Sequence, residues 1–437
     1  MAKRHLFGTD GVRGVANEDL TPAMAFDLAR AGGEGREGHV IIGRDTRRSG
    51  SMLVAALMAG FNSVGVDIMD IGIIPVGAVS RLVRDTGATL GVMVSASHNP
   101  AEDNGIKFFG PNGTKLSDAD ELAIESRFFE GDPWVRGIGP KVGIQMVMSD
   151  AVDRYVHAIL QPVEYSMRGL EFAVDAANCA AFLAAPLLFE RVGATIEMFH
   201  ADPDGMNINR GCGATHPEQI AQVAAGRVGL AFDGDADRLI AVDEDGVVAD
   251  GDFIMAIFAK WMKERGRLKN DVVVATVMSN LGFRKAMERL GITVIETAVG
   301  DRYVLEAMRT SRAVVGGEQS GHVLLEDRAT GDGLRTALRL MEVMASTGKE
   351  LRELRTVMQA YPQVLTNIIV RDKRFEDNAA VVAAIADGEH ALGGRGRILV
   401  RASGTEPLVR VMVEAPTKGE SADVAAAIAK TVEAELS

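Results

Sequence analysis

Apolar runs alternate with amphipathic stretches along the first third of the chain, as strands alternate with helices. Residues 39–43, 64–69 and 90–94 are short apolar runs that predict buried strands, and residues 51–61 have apolar positions at helical spacing. Strand–helix–strand alternation indicates a parallel or mixed α/β sheet, in which the loops at the carboxyl ends of the strands usually form the site.

The same alternation starts again twice further along the chain. The pattern predicts strands at 171–175, 194–199, 228–232, 272–277 and 313–315, helices at 179–192 and 280–290, and a hairpin of 239–242 with 246–248 turned at Asp245-Gly246. The last seventy residues differ, with strands at 366–370, 397–400 and 409–413 and a helix at 422–436 that Thr417 could cap. We therefore expect three related mixed α/β domains (1–150, 151–250 and 251–365) and a smaller α+β C-terminal domain (366–437).

Composition narrows the class of protein. The chain has 437 residues, of which 47% are hydrophobic and 24% charged, as in a globular protein. The net charge of −13, without a long basic run, argues against nucleic acid as a partner. No apolar run is long enough to span a membrane, and the first residues lack the apolar stretch of a signal peptide. Two isolated cysteines, Cys179 and Cys212, fit a reduced compartment, so we expect a cytoplasmic protein.

A serine follows the strand predicted at 90–94. Ser97 lies in Ser95-Ala96-Ser97-His98-Asn99-Pro100, where Asn-Pro enforces a turn. Its hydroxyl could simply cap the following segment, or it could act as a nucleophile or phosphate carrier beside His98. A G-x-S-x-G elbow is absent, so acyl-transfer hydrolysis is not indicated.

Three aspartates, Asp233, Asp235 and Asp237, follow the strand predicted at 228–232. Like charges about 4 Å apart repel by roughly 4 kcal/mol at an effective dielectric constant of 20, and a divalent cation would remove that conflict. Mg²⁺ binds carboxylates together with phosphate oxygens and water. An EF-hand is rejected, because Arg238 stands where that loop needs glycine and strands flank the segment. A solvated acidic turn remains the alternative.

Two later loops carry polar groups suited to a sugar phosphate. Glu318, Ser320 and His322 lie among glycines, where a carboxylate and a hydroxyl suit sugar hydroxyls and histidine suits acid–base catalysis. The segment from Arg401 to Pro407 could form an anion-binding nest, with Arg410 adding charge. Either segment, taken alone, could be an ordinary connection.

Two cations complete the candidate set. Arg13 lies in a glycine-bounded loop near the start, as do the arginines of residues 43–47, and surface ion pairs would also explain them. Lys107 follows the serine segment closely enough to reach the same phosphate, although alone it could be solvated. Together the segments provide every group of a metal-dependent phosphoryl-transfer site, which separate unrelated loops would not be expected to do.

At this point the chain resembles the α-D-phosphohexomutase superfamily and, within it, the bacterial phosphoglucosamine mutases. The resemblance covers essentially the whole chain: the Phe7-to-Gly14 opening, Ser-His-Asn-Pro, Asp202-to-Asn209, Cys212-to-Glu218, Asp-Gly-Asp-Ala-Asp-Arg, Gly-Glu-Gln-Ser-Gly-His and the Arg401 segment. It implies four domains around a central cleft, which carry, in chain order, the phosphoserine, the metal, the sugar and the phosphate sites.

The resemblance also implies roles. Phosphorylated Ser97 would bind Mg²⁺ with Asp233, Asp235 and Asp237, one ion per chain. It would give its phosphoryl group to glucosamine 6-phosphate, and the resulting glucosamine 1,6-bisphosphate would turn around. Ser97 would then take back the phosphoryl group from the 6-position, leaving glucosamine 1-phosphate, a precursor for cell-wall amino-sugar synthesis. The other implied residues are the catalytic Arg13, His98, Lys107 and His322 and the substrate-binding Arg238, Glu318, Gln319, Ser320, Arg401, Ser403, Gly404, Thr405 and Arg410.

Some alternatives stay open. Gln319 favours glucosamine phosphates, and a mutase for glucose or mannose phosphates is the nearest rival; a sugar-phosphate sensor and a phosphatase are more distant ones. Ser97 could first be phosphorylated by a kinase or by a bisphosphate primer, and dimers occur in similar proteins. Cys179 and Ala214 depart from the usual glycine and serine, which we expect to affect packing of the second domain rather than the chemistry.

Overall fold

The chain divides into two compact units. Unit 1 comprises Met1–Met278 and Ile292–Thr356, and unit 2 comprises Ser279–Gly291 and Val357–Ser437. This computed structural model describes residues 6–8, 10–131, 134, 136–161, 163–224, 226–326, 329–403 and 407–437. No helix in those ranges has the length and apolar content needed to cross a membrane. The finer division into four domains stays a prediction.

Strands and helices alternate along most of the chain. The strands are β1 Val12–Val15, β2 His39–Arg44, β3 Asp67–Ile73, β4 Leu90–Val94, β5 Asp103–Phe109, β6 Gln145–Val147, β7 Glu171–Asp175, β8 Thr195–Phe199, β9 Val228–Phe232, β10 Leu239–Val242, β11 Val248–Ala249, β12 Val272–Thr276, β13 Thr293–Thr297, β14 Val315–Gly317, β15 Val323–Leu325, β16 Gln363–Ile369, β17 Arg397–Ala402 and β18 Leu408–Glu414. The helices are α1 Pro22–Gly33, α2 Gly50–Ser63, α3 Val76–Thr86, α4 Asp118–Glu130, α5 Ala151–Ile159, α6 Ala181–Val192, α7 Pro217–Val223, α8 Gly251–Glu264, α9 Leu281–Arg289, α10 Asp301–Ser311, α11 Gly333–Thr347, α12 Leu351–Leu354, α13 Ala379–Leu392 and α14 Lys418–Leu436.

Unit 1 contains three mixed sheets. Their strand orders are β1-β5-β4-β2-β3-β6, β11-β10-β9-β7-β8 and β13-β12-β14-β15. In each sheet a parallel centre meets an antiparallel edge: β4 pairs in parallel with β2 but antiparallel with β5, and β9 is parallel to β7 but antiparallel to β10. Because β4 and β9 are buried along their whole length, their carboxyl ends deliver the next residues to an enclosed position.

Unit 2 is an antiparallel sheet of order β16-β18-β17 with helices packed on it. Its core joins apolar residues of the sheet, such as Val411, to Val381 of α13 and to Ile428 and Val432 of α14. Thr417 caps α14, since the Glu420 N–H donates to its Oγ1 at 3.2 Å. The predicted cap is confirmed, although α14 begins at Lys418 rather than at 422.

The expected fold class is confirmed, whereas several element boundaries were wrong. The strand predicted at 64–69 is β3, which begins at Asp67 because Gly65 turns the chain with a φ of +86°. The second hairpin strand begins at Val248, since Gly246 belongs to the turn. The strand predicted at 313–315 extends from Val315 to Gly317.

Candidate active site

Ser97 is held in place by a buried network behind it. It follows β4 with a left-handed φ of 52°. Its N–H donates to Ser95 Oγ at 2.9 Å, and that hydroxyl donates to Asp45 Oδ2 at 2.6 Å. Arg47, ion-paired with Asp45 and fully buried, donates from Nη2 to the Ser97 carbonyl at 2.9 Å. Asp45 and Arg47 therefore fix the backbone that presents the serine hydroxyl.

A second set of contacts joins the serine loop (residues 95–100) to the aspartate turn (residues 233–238). Asn209 donates from Nδ2 to the same Ser97 carbonyl at 2.9 Å. At Gly234 a Cβ would lie only 2.1 Å from that oxygen, so only glycine permits the approach. The sequence argument missed the roles of Asp45, Arg47 and Asn209. For Arg47 the available signal is the arginine-containing loop of residues 43–47, which surface ion pairs would also explain.

The serine hydroxyl points at the aspartates. Ser97 Oγ donates to Asp233 Oδ2 at 2.6 Å, and His98 Nδ1 lies 3.3 Å from the same hydroxyl. Burial, together with the nearby Arg238 and Arg13, lowers the pKa of His98 to about 4, so its ring is neutral near pH 7. The turn between β9 and β10 thus carries the hydrogen-bond partner of the serine.

The aspartate trio has the features of a cation site. Asp233, Asp235 and Asp237 are buried, and one oxygen from each lies within 4.8 Å of the others. Within the described part of the chain, Asp235 Oδ1 and Asp237 Oδ1 are buried and have no hydrogen-bond partner. Burial and the two neighbouring carboxylates raise the pKa of Asp233 to about 7. Unpartnered carboxylate oxygens that repel one another fit a hard divalent cation, which binds oxygen ligands.

Two cations, Lys107 and Arg238, contact the trio, and a third, Arg13, lies beside the segment that carries Ser97. Lys107 Nζ lies 2.7 Å from Asp235 Oδ2 and 2.8 Å from Asp10 Oδ2. Although burial alone would lower the pKa of Lys107, these two carboxylates raise it, so the ammonium stays charged. Arg13 pairs with Asp10 and donates to the Ala96 carbonyl at 3.3 Å. The backbone N–H of Arg238 donates to Asp233 Oδ1 at 3.2 Å, and its guanidinium Nε lies 3.9 Å from Asp233 Oδ2 and 3.8 Å from Asp237 Oδ1.

His322 lies beside the trio on a connection between β14 and β15. Its Nδ1 is 3.2 Å from Asp237 Oδ2, and the Gly331 N–H donates to Nε2 at 3.2 Å. Burial would lower the pKa of His322, but the Asp237 carboxylate raises it to about 9, which favours a second proton. The hydrogen bond from Gly331 opposes that second proton, because an N–H cannot donate to a protonated nitrogen. The geometry therefore assigns a neutral ring with its proton on Nδ1.

The loop of residues 317–322, which contains Glu318, Ser320 and His322, is called the sugar loop below, and its other polar side chains are held by hydrogen bonds. Glu318 Oε1 accepts from the Gly300 N–H at 3.0 Å, and Ser320 Oγ donates to Glu318 Oε2 at 3.3 Å. Gln319 donates from Nε2 to Asp250 Oδ2 at 3.1 Å. Leu239, next to Arg238, donates its N–H to the Gly321 carbonyl at 3.0 Å, so the sugar loop lies against the strand that follows the trio.

The predicted phosphate loop belongs to unit 2. Arg401 and Arg410 are directly opposite each other on β17 and β18, and burial together with the facing Arg410 lowers the pKa of Arg401. Two like charges at one cross-strand position suit an anion. Lys373, which the sequence argument missed, donates to the Ser403 carbonyl at 2.9 Å. Gly404 and Thr405 lie outside the described residues.

Three family models match the chain in succession. They are phosphoglucomutase/phosphomannomutase alpha/beta/alpha domain I over residues 4–133, alpha/beta/alpha domain III over residues 250–361 and the C-terminal domain over residues 365–431. Among curated relatives, a phosphoglucosamine mutase of Shouchella clausii is 51% identical over 94% of each chain. The chain belongs to the phosphoglucosamine mutase family. A further phosphoglucosamine mutase, of Moorella thermoacetica, is 50% identical over 97% of this chain and 98% of its own.

Solved structures place the family member within a wider fold group. A phosphoglucomutase/phosphomannomutase family protein of Burkholderia thailandensis matches with a TM-score of 0.80 and 25% identity, over 98% of this chain and 97% of its own. An N-acetylphosphoglucosamine mutase of Aspergillus fumigatus, solved with GlcNAc-6P and magnesium, matches with a TM-score of 0.71 over 99% and 96%. At 19% identity that second likeness concerns the fold alone.

Proposed function

We propose that this chain interconverts glucosamine 6-phosphate and glucosamine 1-phosphate, with Ser97 as the phosphoryl carrier. The curated relatives that share about half of its sequence over nearly its whole length are named phosphoglucosamine mutases. The observation that carries the chemistry is the 2.6 Å contact between Ser97 Oγ and Asp233, within a buried trio that has unpartnered oxygens. A serine hydroxyl in that position is suited to hold a phosphoryl group beside a cation.

The cation is proposed to be one Mg²⁺ ion, held by Asp233, Asp235, Asp237 and a phosphoserine oxygen. When bound, it would supply positive charge against the phosphoryl oxygens. A phosphoserine adds about −1.5 to −2 charges beside the trio. Of the chain's own groups, Lys107 is buried and charged at the trio and Arg13 lies beside the serine loop, so both can donate to phosphoryl oxygens.

In the proposed transfer, the P–O bond to Ser97 breaks as a new P–O bond forms to a hydroxyl of the sugar. His322, whose ring is neutral, is the candidate to take up the hydroxyl proton and return it in the second half-reaction. The charged Lys107 can donate a proton, and His98 lies beside the serine oxygen. The product of the first transfer is glucosamine 1,6-bisphosphate, which must present its other phosphate to Ser97 before it leaves as the isomer.

Substrate recognition is assigned to two sets of residues. Glu318 and Ser320 are proposed to hold sugar hydroxyls, Arg238 to contact a phosphate, and Gln319 to favour the amino sugar. The second phosphate is assigned, on the strength of the resemblance, to Arg401, Ser403, Gly404, Thr405 and Arg410.

The experiment is ³¹P NMR of the purified protein with Mg²⁺, a trace of sugar bisphosphate and equal amounts of glucosamine, glucose and mannose 6-phosphates. The proposal requires glucosamine 1-phosphate to appear fastest, and it requires Ser97→Ala to abolish turnover while sugar-phosphate binding persists. A dominant glucose or mannose product would shift the assignment to the nearest rival, and release of free phosphate alone would indicate a phosphatase.

Three finer points remain predictions with simple tests. A homodimer would sediment at twice the chain mass in analytical ultracentrifugation. Intact mass of the protein, with and without a bisphosphate primer, would tell primer-dependent phosphorylation of Ser97 from phosphorylation by a kinase. A cytoplasmic location is tested by cell fractionation.

A further inference from the structure

A series of ion pairs with alternating charges begins at Asp235 of the aspartate trio. Lys107 Nζ is shared between Asp235 Oδ2 at 2.7 Å and Asp10 Oδ2 at 2.8 Å. The other oxygen of Asp10 pairs with Lys115. Lys107 is 1% exposed and Lys115 14%, so water screens these ion pairs little. Asp10 therefore holds two lysines at once, and one of them is the lysine assigned to the reacting phosphate.

From Lys115 the series continues through Asp301 towards Asp237, a second member of the trio. Lys115 Nζ lies 2.7 Å from Asp301 Oδ2, and the same oxygen is 3.9 Å from Nε2 of the neutral His322 ring, which is too far for a hydrogen bond. His322 in turn lies 3.2 Å from Asp237 through Nδ1. We refer to this circuit as the charge ring. Its charged members are Asp235, Lys107, Asp10, Lys115, Asp301 and Asp237, and the neutral ring of His322 lies between the last two.

Local backbone geometry explains the positions of Asp10 and Asp301, the two outer aspartates, which belong to the ring but not to the trio. Gly11, after Asp10, has a φ of +81°, and a Cβ there would lie 2.4 Å from the Ile106 carbonyl, so the Asp10 segment lies directly on β5 beside Lys107. Gly300, before Asp301, has a φ of +133° and donates its N–H to Glu318. Asp301 is thereby linked to the sugar loop as well as to His322.

The charges show why the outer aspartates are needed. A cation bound at the trio would repel the Lys107 ammonium, which now lies 2.7 Å from one of the proposed ligands. A buried ammonium needs a carboxylate partner that the cation does not occupy. Asp10 is that partner, and Lys115 with Asp301 fixes the position of Asp10.

We propose that Asp10, Lys115 and Asp301 are positioning residues for phosphoryl transfer, which hold Lys107 in place beside Asp235 of the trio. This inference rests on the proposed function, because it assumes that Lys107 serves the transfer from Ser97. None of the three positioning residues needs to touch the substrate.

The test compares Asp10→Asn, Asp301→Asn and the double variant with the unmodified chain, all with Mg²⁺ and a bisphosphate primer. The matched control is Asp85→Asn, which removes the exposed Arg81–Asp85 pair of α3. Each ring variant should lose about 10- to 100-fold in kcat with KM changed less than about 3-fold, since displacement of a reacting group costs rate rather than binding. Asp10→Glu should recover part of the loss, and Asp85→Asn should lose nothing.

The double variant separates positioning from general damage. Residues that act through one network are not independent, so the double loss should be close to the larger single loss. Single-variant kcat values within about 2-fold of the unmodified chain, or single losses that multiply in the double variant, would overturn the proposal. Should Asp10→Asn not fold, Lys115→Met and Asp301→Asn carry the same comparison.

Failure of the proposed function would look different. The unmodified chain would then convert another sugar phosphate, and the ring variants would be measured on that substrate with the same expected losses. If no phosphoryl group ever passes through Ser97, the inference falls together with the proposed function. A loss seen in the ring variants but not in Asp85→Asn, on whichever sugar phosphate reacts, supports it.

Discussion

The serine loop and the aspartate turn approach so closely at Gly234 that one methyl group would separate them. A Cβ there would lie 2.1 Å from the Ser97 carbonyl oxygen and 3.1 Å from Asn209 Nδ2. Nonbonded heavy atoms pack at about 3.5 Å, so Gly234→Ala must open the two loops by roughly 1 Å. The nearest obstructing atom belongs to the backbone, so rotation of a flexible side chain cannot relieve the clash.

The expected cost follows from that displacement. Moving a reacting group by about 1 Å lowers kcat on the order of 100-fold, and overpacking a buried position costs about 1–3 kcal/mol of unfolding free energy. The assay measures kcat and KM with glucosamine 1-phosphate and the unfolding free energy in urea. The control is Gly419→Ala in α14, where the new Cβ meets no heavy atom of the described residues within 4 Å, apart from its chain neighbours and the backbone of its own helix. The control should keep its kcat and gain at most about 1 kcal/mol.

A folded Gly234→Ala protein whose kcat stays within about 2-fold of the unmodified chain would refute the reasoning. It would mean that the contact between the two loops does not position Ser97. A loss of stability without any loss of kcat in the remaining folded protein would lead to the same conclusion.

Three further outcomes are expected. Mg²⁺ at 100 times its Kd should stabilise the protein by about 2.7 kcal/mol, which is measured as a rise in melting temperature. Asp235→Asn should remove most of that rise, and an equal rise in the variant would contradict the metal assignment. Arg401→Ala should raise KM far more than it changes the melting temperature, so an unchanged KM would remove its phosphate role. Tyr155→Phe should cost about 1 kcal/mol, measured by urea unfolding, because it deletes the 2.7 Å hydrogen bond to buried Asp332 but leaves the ring packed.

The parts of the site that the sequence predicted are those in which one segment carries its own pattern. β4 and β9 are uninterrupted apolar runs, and each ends directly at a polar group, Ser97 or the aspartate trio. A strand that is buried on both faces is apolar at nearly every position, so its sequence is not mistaken for that of a polar loop. The expected mixed sheets and the position of the trio between two strands followed from this.

Other features depend on contacts between distant segments, which no local pattern encodes. α11 has no counterpart in the pattern-based expectation because Arg335, Arg339 and Glu342 interrupt its apolar face, yet all three are buried and ion-paired. Asp10 and Asp301 are ordinary acidic residues in the sequence, and their proximity to Lys107 and His322 arises only when β1, β5 and α10 assemble. Arg47 looks like a surface arginine until the serine loop folds over it.

The two cysteines can report local opening of the structure, because a thiol reagent reaches a buried thiol only when it becomes exposed. Both are buried, and Cys179 donates from Sγ to the Asp233 carbonyl, directly behind the trio. Burial raises the pKa of Cys179 well above its usual range and that of Cys212 to about 12, so neither forms the thiolate that thiol reagents attack. Labelling in native buffer must wait for a transient opening of the surrounding structure. The labelling rate of Cys179 would therefore time how often the backbone behind Asp233 comes apart.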